Sequence, residues 1–162
     1  VLQHPRVFES MTVRDNVIVG ATFGRRERPA QAVASGRADD ALRFVGLEDH
    51  AELEVGSLNL HQQRFLELAR ALAGQPELLL LDEVMAGLND TELQASIDMV
   101  RTARDQLGIT IIWVEHVMKA VMSLAERVVV LNFGRTIADG QPDDVMNQPD
   151  VVAAYLGTEL AP

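Results

Sequence analysis

Two adjacent acids, Asp82 and Glu83, follow an unbroken apolar run at residues 78–81. Such a run suits a parallel strand that is buried on both faces, and ligands bind at the carboxyl ends of parallel strands. Phosphoryl transfer uses this arrangement, because one carboxylate holds Mg²⁺ and the next polarises the attacking water. Asp82 would take the first role and Glu83 the second. The motif alone leaves open a loop that merely begins with two acids.

Polar groups at fixed spacing surround this pair. Residues 62–64, Gln-Gln-Arg, begin the preceding helical stretch, residues 86–89 follow the acids, and His116 ends the next apolar run. A lone histidine at a strand end is more often structural. Its place after Glu83 and an intervening helix instead predicts that it joins the same sheet edge, because alternating strands and helices imply a parallel α/β sheet with right-handed crossovers.

The elements that must position these groups follow from apolar periodicity and from helix-ending residues. Residues 11–46 predict a small all-helical region with a polar break at residues 24–29. A helix is expected over residues 60–73, and another from Asn89, capped with Glu92, to Gly108. The remaining predicted elements are strands at residues 78–81, 109–114 and 127–131, a short helix from Val117, a hairpin turn at residues 133–135, and a helix from Pro142.

Composition bounds the class of protein. A chain of 162 residues with 48% hydrophobic content fits one domain or part of one. The net charge of −10 argues against a nucleic-acid groove and against docking on anionic lipid. No apolar run approaches the ~20 residues of a membrane helix, and cysteine is absent. A cytoplasmic protein that binds other proteins or small molecules is expected.

The order of these groups resembles that of ABC ATPases, the ATP-hydrolysing subunits of ABC transporters. In that family a Leu-Ser-Gly-Gly-Gln signature opens the helix before the Walker B strand, and residues 58–62 stand at that place. Residues 80–83 look like the Walker B segment, and residues 86–89 resemble the D-loop. His116 resembles the switch histidine. Residues 3–17 are similar to the family's Q-loop and to the segment that meets the permease.

Three stretches resemble the branched-chain amino-acid uptake type, although urea and short amide importers are near neighbours. The implied fold is the C-terminal part of an ABC-type P-loop NTPase domain, an α/β parallel sheet with crossover helices, together with its helical subdomain. Residues 1–8 would end the Q-loop, residues 9–74 would form the helical subdomain, and residues 75–162 would form the second half of the core. The three stretches are residues 87–89, residues 114–122, and residues 131–135 with the tail 153–157.

The resemblance implies ATP and Mg²⁺ as cofactors. It implies catalytic roles for Glu83 and His116, and Mg²⁺ ligands at Asp82 and Gln3. Residues 59–62 would serve the nucleotide of a second ATPase subunit that pairs head to tail with this one, while Gln3, Asp82, Glu83 and His116 would serve the chain's own. The implied nucleotide contacts are Gln3, Asn59, Leu60, His61, Gln62, Asp82, Leu88 and Asn89.

The resemblance also implies partners and a location. Transmembrane permease subunits would be contacted near residues 6–13, a solute-binding protein would act indirectly, and no nucleic acid is expected. The subunit would sit peripherally on the cytoplasmic face of the plasma membrane and energise uptake of branched-chain amino acids or a related small polar solute.

The sequence departs from the family pattern in two ways. A phosphate-binding loop needs Gly-Lys followed by Ser or Thr, but the one lysine, Lys119, follows Met118. We therefore expect an N-terminally truncated chain that alone does not bind ATP normally and is marginally stable or aggregation-prone. In addition, Asn59 and His61 replace the signature serine and second glycine. The His61 side chain is expected to stand in the way of the γ-phosphate.

Two other function classes remain open. A non-catalytic ABC subunit acting as a scaffold or regulator would keep the dimer surface without hydrolysis, and the altered signature favours it. An ABC protein of DNA repair or translation would lack a membrane partner, but the acidic charge and residues 6–13 weigh against it. A Gly-Lys-Ser or Gly-Lys-Thr loop upstream would distinguish the importer subunit from the scaffold.

Overall fold

The computed structural model describes residues 1–2 and 5–156, so Gln3 lies outside the described residues. The chain forms two compact units, Val1–Glu115 and His116–Pro162. No helix in the described part of the chain is long and apolar enough to span a membrane.

Three helices form the first part of the first unit, as the apolar periodicity predicted. α1 is Val13–Phe23, α2 is Gln31–Phe44 and α3 is Leu60–Ala73. They pack on one another through buried aliphatic side chains such as Val17 and Leu42. Two short 3₁₀ turns, Glu48–His50 and Val55–Ser57, connect α2 to α3.

α1 and α3 approach each other closely at one glycine. A Cβ atom placed on Gly20 would lie 1.9 Å from the carbonyl oxygen of Arg70 on α3. Only a residue without a side chain therefore permits this packing distance. α1 is also joined to α2, because the Arg14 guanidinium donates two hydrogen bonds to the Asp39 carboxylate, at 2.7 and 2.8 Å.

A strand–helix–strand unit completes the first unit. β1, Leu78–Asp82, pairs in parallel with β2, Thr110–Val114, in a register that sets Asp82 beside Val114. α4, Asp90–Leu107, connects them. It begins with the predicted capping pair Asn89 and Glu92 and ends at Gly108, whose φ of 65° is left-handed.

The prediction that these two strands are buried on both faces is wrong. Leu79 and Leu81 are buried, but Leu78, Leu80, Ile112 and Val114 lie exposed on the other face. Alternate side chains of a strand point to opposite faces, and a second face is buried only where another element covers it. No described element covers this one.

The second unit is built on an antiparallel hairpin. β3, Val128–Asn132, pairs with β4, Arg135–Gly140. The predicted turn at residues 133–135 is confirmed: Phe133 and Gly134 have φ of 46° and 76°, the left-handed pair that a tight hairpin turn needs. Helices flank the hairpin, and a small core of Val130, Ala138, Val145 and Val151 fills it. The helices are α5, Met118–Leu124, α6, Pro142–Met146, and α7, Pro149–Leu156.

Candidate functional site

The two acids lie where β1 ends. Asp82 is the last residue of the strand and is exposed, whereas Glu83 is half-buried. Glu83 has a φ of 47°, a left-handed backbone that non-glycine residues rarely adopt. The chain therefore leaves the strand direction at Glu83, while its N–H still donates to the carbonyl of Val114 at 2.9 Å. The first unit thus presents adjacent carboxylates on either side of a sharp backbone turn.

Side chains from two other elements hold the loop that follows Glu83. Arg64 on α3 donates from Nη1 to the carbonyl oxygens of Ala86, at 2.7 Å, and Val84, at 3.4 Å. Glu115, directly after β2, accepts the N–H of Met85 at 3.0 Å. Arg64 and Glu115 were not among the predicted site residues. Both occurred in quoted motifs, but nothing in the sequence indicated that their partners would be backbone groups of this loop.

The first turn of α3 carries the predicted signature residues Asn59, Leu60, His61 and Gln62. The Asn59 side-chain oxygen accepts the N–H of Gln62 at 2.9 Å, and the Gln62 side-chain oxygen accepts the N–H of Asn59 at 3.0 Å. This reciprocal cap leaves the Nδ2 group of Asn59 as a donor. The N–H groups of Leu60 and His61 lie between the two capped ones, at the helix end that favours anions.

The His61 side chain, which is expected to stand in the way of the γ-phosphate, contacts another ring of α3. It lies back on Phe65, one turn along α3, with ring centroids 4.2 Å apart and planes tilted by 53°. Its Nδ1 atom is buried. Desolvation lowers the pKa of His61 below its ordinary value, and the Arg64 charge adds to this against the opposing charge of Glu92. The surroundings of the ring therefore favour its uncharged form.

Leu88 and Asn89 connect the acidic loop to α4. Gly87 takes a φ of 75°, Leu88 is half-buried, and the Asn89 side-chain oxygen accepts the N–H groups of Thr91 and Glu92, each at 3.0 Å. The Asn89 oxygen is thus engaged as a helix cap, and a nucleotide contact from this residue would use its Nδ2 group.

Two predicted site residues remain, His116 and Gln3. His116 is the first residue of the second unit and is exposed there. Gln3 falls outside the described residues, but the residues around it are anchored: the N–H groups of Leu2 and Arg6 donate to the carboxylate of Glu67 on α3. The Glu67 contact was not predicted.

This fold, with an Asp-Glu pair ending a parallel strand beside a capped helix, is that of an ATP-binding cassette. A family model described as ABC transporter matches residues 1–86, more than half of the chain. The chain belongs to the ABC transporter family. Residues 135–161 also match a model described as branched-chain amino acid ATP-binding cassette transporter. The resemblance inferred from the motifs is thereby confirmed.

Individual relatives agree with this assignment. The chain is 39% identical over 167 residues to the high-affinity branched-chain amino acid transport ATP-binding protein LivG of Salmonella typhimurium, covering 96% of this chain and 66% of that protein. It is 34% identical to BraF of Pseudomonas aeruginosa, which carries the same description, with the same coverage. The chain thus spans about 66% of the length of these relatives.

A solved structure supports the predicted fold class. CbiO1 from Clostridium perfringens, part of the ABC transporter complex cbiONQ, superposes with a TM-score of 0.80 at 27% identity. The match covers 99% of this chain and 62% of that one. The prediction of an ABC-type α/β domain is confirmed.

Proposed function

We propose that this chain supplies the Walker B half of an ATP-hydrolysing subunit that energises uptake of branched-chain amino acids or a related small polar solute. The observation that carries the proposal is the Asp82–Glu83 pair at the end of β1, followed by a loop held from two sides by Arg64 and Glu115. The names of the relatives support the class of solute.

The carboxylates suit Mg²⁺ with ATP. Mg²⁺ prefers hard oxygen ligands, usually one or two carboxylates completed by phosphate and water. Asp82 is exposed at the strand end, and we assign it to the cation together with Gln3. Among the described residues, no group of three acidic, histidine or cysteine side chains could hold a metal ion. Bound Mg²⁺ would supply neutralisation of phosphate charge.

The chain's own groups would do the rest of the chemistry. Glu83 would orient and polarise the attacking water, from a position where the backbone turns out of the strand. His116 would contact the same nucleotide. Asn59, through its Nδ2 group, and the N–H groups of Leu60 and His61 would meet the phosphates bound by a second ATPase subunit, with Leu88 and Asn89 nearby. Closure of such a pair would couple hydrolysis to transport.

The permease would be met by residues 6–13 on the cytoplasmic face of the plasma membrane. Two large apolar side chains there, Phe8 and Met11, are exposed. Apolar side chains of this kind are typical anchors of protein interfaces.

Hydrolysis tests this proposal. The 162 residues are joined to the part of Escherichia coli LivG that they do not match, and phosphate release is measured with Mg²⁺ and ATP. We expect turnover in the joined protein and a fall in kcat of about 100-fold in Glu83→Gln, because the general base is lost. Glu77→Gln, an exposed acid just before β1, should leave kcat unchanged. Turnover that survives Glu83→Gln would contradict the role of Glu83.

The altered signature favours one second candidate, a non-catalytic subunit that keeps the dimer surface. Asn59 and His61 stand where the resemblance places serine and glycine. In that case the joined protein would bind ATP without turnover, and His61→Gly with Asn59→Ser would restore phosphate release. Turnover in the unaltered joined protein would exclude this candidate.

A further inference from the structure

Glu67 is a buried carboxylate in the middle of α3, with 6% of its surface exposed. Its Oε2 accepts the N–H of Leu2 at 3.0 Å, and its Oε1 accepts the N–H of Arg6 at 3.4 Å. Arg70, one turn further on, donates from Nη2 to the same Oε1 at 3.5 Å. Burying a carboxylate is costly unless it is paired and hydrogen-bonded. The fold therefore needs these N–H and guanidinium partners to keep Glu67 buried.

The N-terminal segment, residues 1–2 and 5–8, is held at more than one point. The N–H of Arg6 meets Glu67, while the carbonyl oxygen of Arg6 accepts a hydrogen bond from Arg70. The Arg70 guanidinium also lies over the ring of Phe8, 5.3 Å from its centre, a distance at which a cation attracts an aromatic face. α3 thus contacts the segment at Leu2, Arg6 and Phe8.

α1 secures the end of the same segment. Asn16 is fully buried, and its side-chain oxygen accepts the N–H of Phe8 at 2.8 Å. Its Nδ2 donates to the carbonyl oxygens of Phe8, at 3.0 Å, and Thr12, at 2.9 Å. Because α1 also meets α3 backbone at Gly20, the segment, α1 and α3 form one packed body.

We propose that Glu67 is a positioning residue that couples the two ends of this body: it ties the permease-facing residues to the helix whose first turn faces the nucleotide. This inference rests on the proposed function, which places phosphates at residues 59–62 and the permease at residues 6–13. Glu67 lies eight residues after Asn59, about 12 Å along the helix axis. A displacement of the first turn of α3 is then passed to Leu2 and Arg6 through the Glu67 carboxylate.

Amide hydrogen exchange of the 162-residue chain, measured by NMR, tests the anchor. Glu67→Gln keeps the size of the side chain but removes its charge, so the N–H groups of Leu2 and Arg6 should exchange at least about tenfold faster. Glu48→Gln, an exposed acid in the turn Glu48–His50, is the matched control and should change neither rate. Arg70→Lys is the second variant if Glu67→Gln does not fold, and it should also speed exchange at Arg6. Unchanged rates in a folded variant would overturn the inference.

ATP-dependent exchange tests the coupling. The joined protein with LivG carries Glu83→Gln to prevent turnover, and Mg²⁺ with ATP is added. We expect slower exchange in the first turn of α3 and at Leu2 and Arg6. Glu67→Gln should keep the response in the first turn of α3 and lose the response at Leu2 and Arg6. An equal response at Leu2 and Arg6 with and without Glu67→Gln would overturn the inference. If the first turn of α3 does not respond to ATP, the proposed function is contradicted instead. The exchange rates of the 162-residue chain would still test whether Glu67 holds the N-terminal segment.

Discussion

At the scale of single residues, the surroundings of the His61 ring decide its protonation. A ring in place of glycine would obstruct a phosphate if it projected from the first turn of α3. Instead it packs on Phe65, with its Nδ1 atom buried. The backbone N–H groups of the first turn keep the position that suits an anion. The His61 side chain thus contacts its own helix one turn further on.

The protonation of His61 makes this contact measurable. Burial against Phe65 disfavours the charged imidazole, so an NMR titration should give a midpoint below the ordinary 6.5. Phe65→Ala returns water to the ring and should raise the midpoint toward 6.5. Phe23→Ala removes an exposed ring elsewhere and should not move it. Because the folded pKa is lowered, protonation of His61 destabilises the fold as pH falls below 6.5. A midpoint at or above 6.5 in the unaltered chain would disprove this account.

The site residues that the sequence predicted differ from the unpredicted ones in one respect. The partners of the unpredicted residues lie far away along the chain. Asp82 and Glu83 were predicted because they directly follow an apolar run, a local pattern. Glu67, by contrast, binds the N–H of Leu2, 65 positions away, and Arg64 binds the carbonyl of Ala86, 22 positions away. A side chain that holds a remote backbone group leaves no periodic signal, so these two roles emerged only from the fold.

At the scale of elements, the contact of α1 with α3 depends on the absence of one side chain. Gly20→Ala would place a methyl group 1.9 Å from the Arg70 carbonyl oxygen, so the helices must separate. Overpacking of this kind costs about 1–3 kcal/mol, and we expect at least that loss in the free energy of unfolding by urea.

A second helical glycine provides the control. Gly36 lies in α2, and a Cβ there would meet nothing within 4 Å. Gly36→Ala should stabilise the chain by about 0.5–1 kcal/mol, because alanine favours the helix more than glycine. Equal effects of the two substitutions would show that helix propensity, rather than the Gly20 contact, decides the result.

Helices were predicted more completely than strands, for a physical reason. α3 and the start of α4 follow from neighbouring residues: Asn59 and Asn89 cap them, and Gly74 and Gly108 end them. Whether β1 and β2 are buried on both faces does not depend on their own residues alone. It depends on whether another element lies over the second face. Apolar content alone indicated two buried faces, and only one is buried in the described chain.

At the scale of the whole molecule, that uncovered face stands out in a chain with a net charge of −10. In the register of β1 and β2, Leu80 lies beside Ile112, and each is 57% exposed. Leu78 and Val114 extend the patch along the same face. Adjacent exposed aliphatic side chains on a sheet attract other apolar surfaces, and the net charge opposes self-association only over longer distances.

We therefore expect the 162-residue chain to self-associate in sedimentation experiments through this face. Leu80→Thr with Ile112→Thr should shift the chain toward monomer while leaving its unfolding midpoint nearly unchanged, because threonine keeps the strand preference and neither side chain is buried. Leu79→Thr, at a buried position of the same strand, should instead lower the midpoint, because a polar group enters the core. If the double variant still self-associates, the interface lies on another surface of the chain. A large fall in its midpoint would mean that the face contributes to the core of the folded chain.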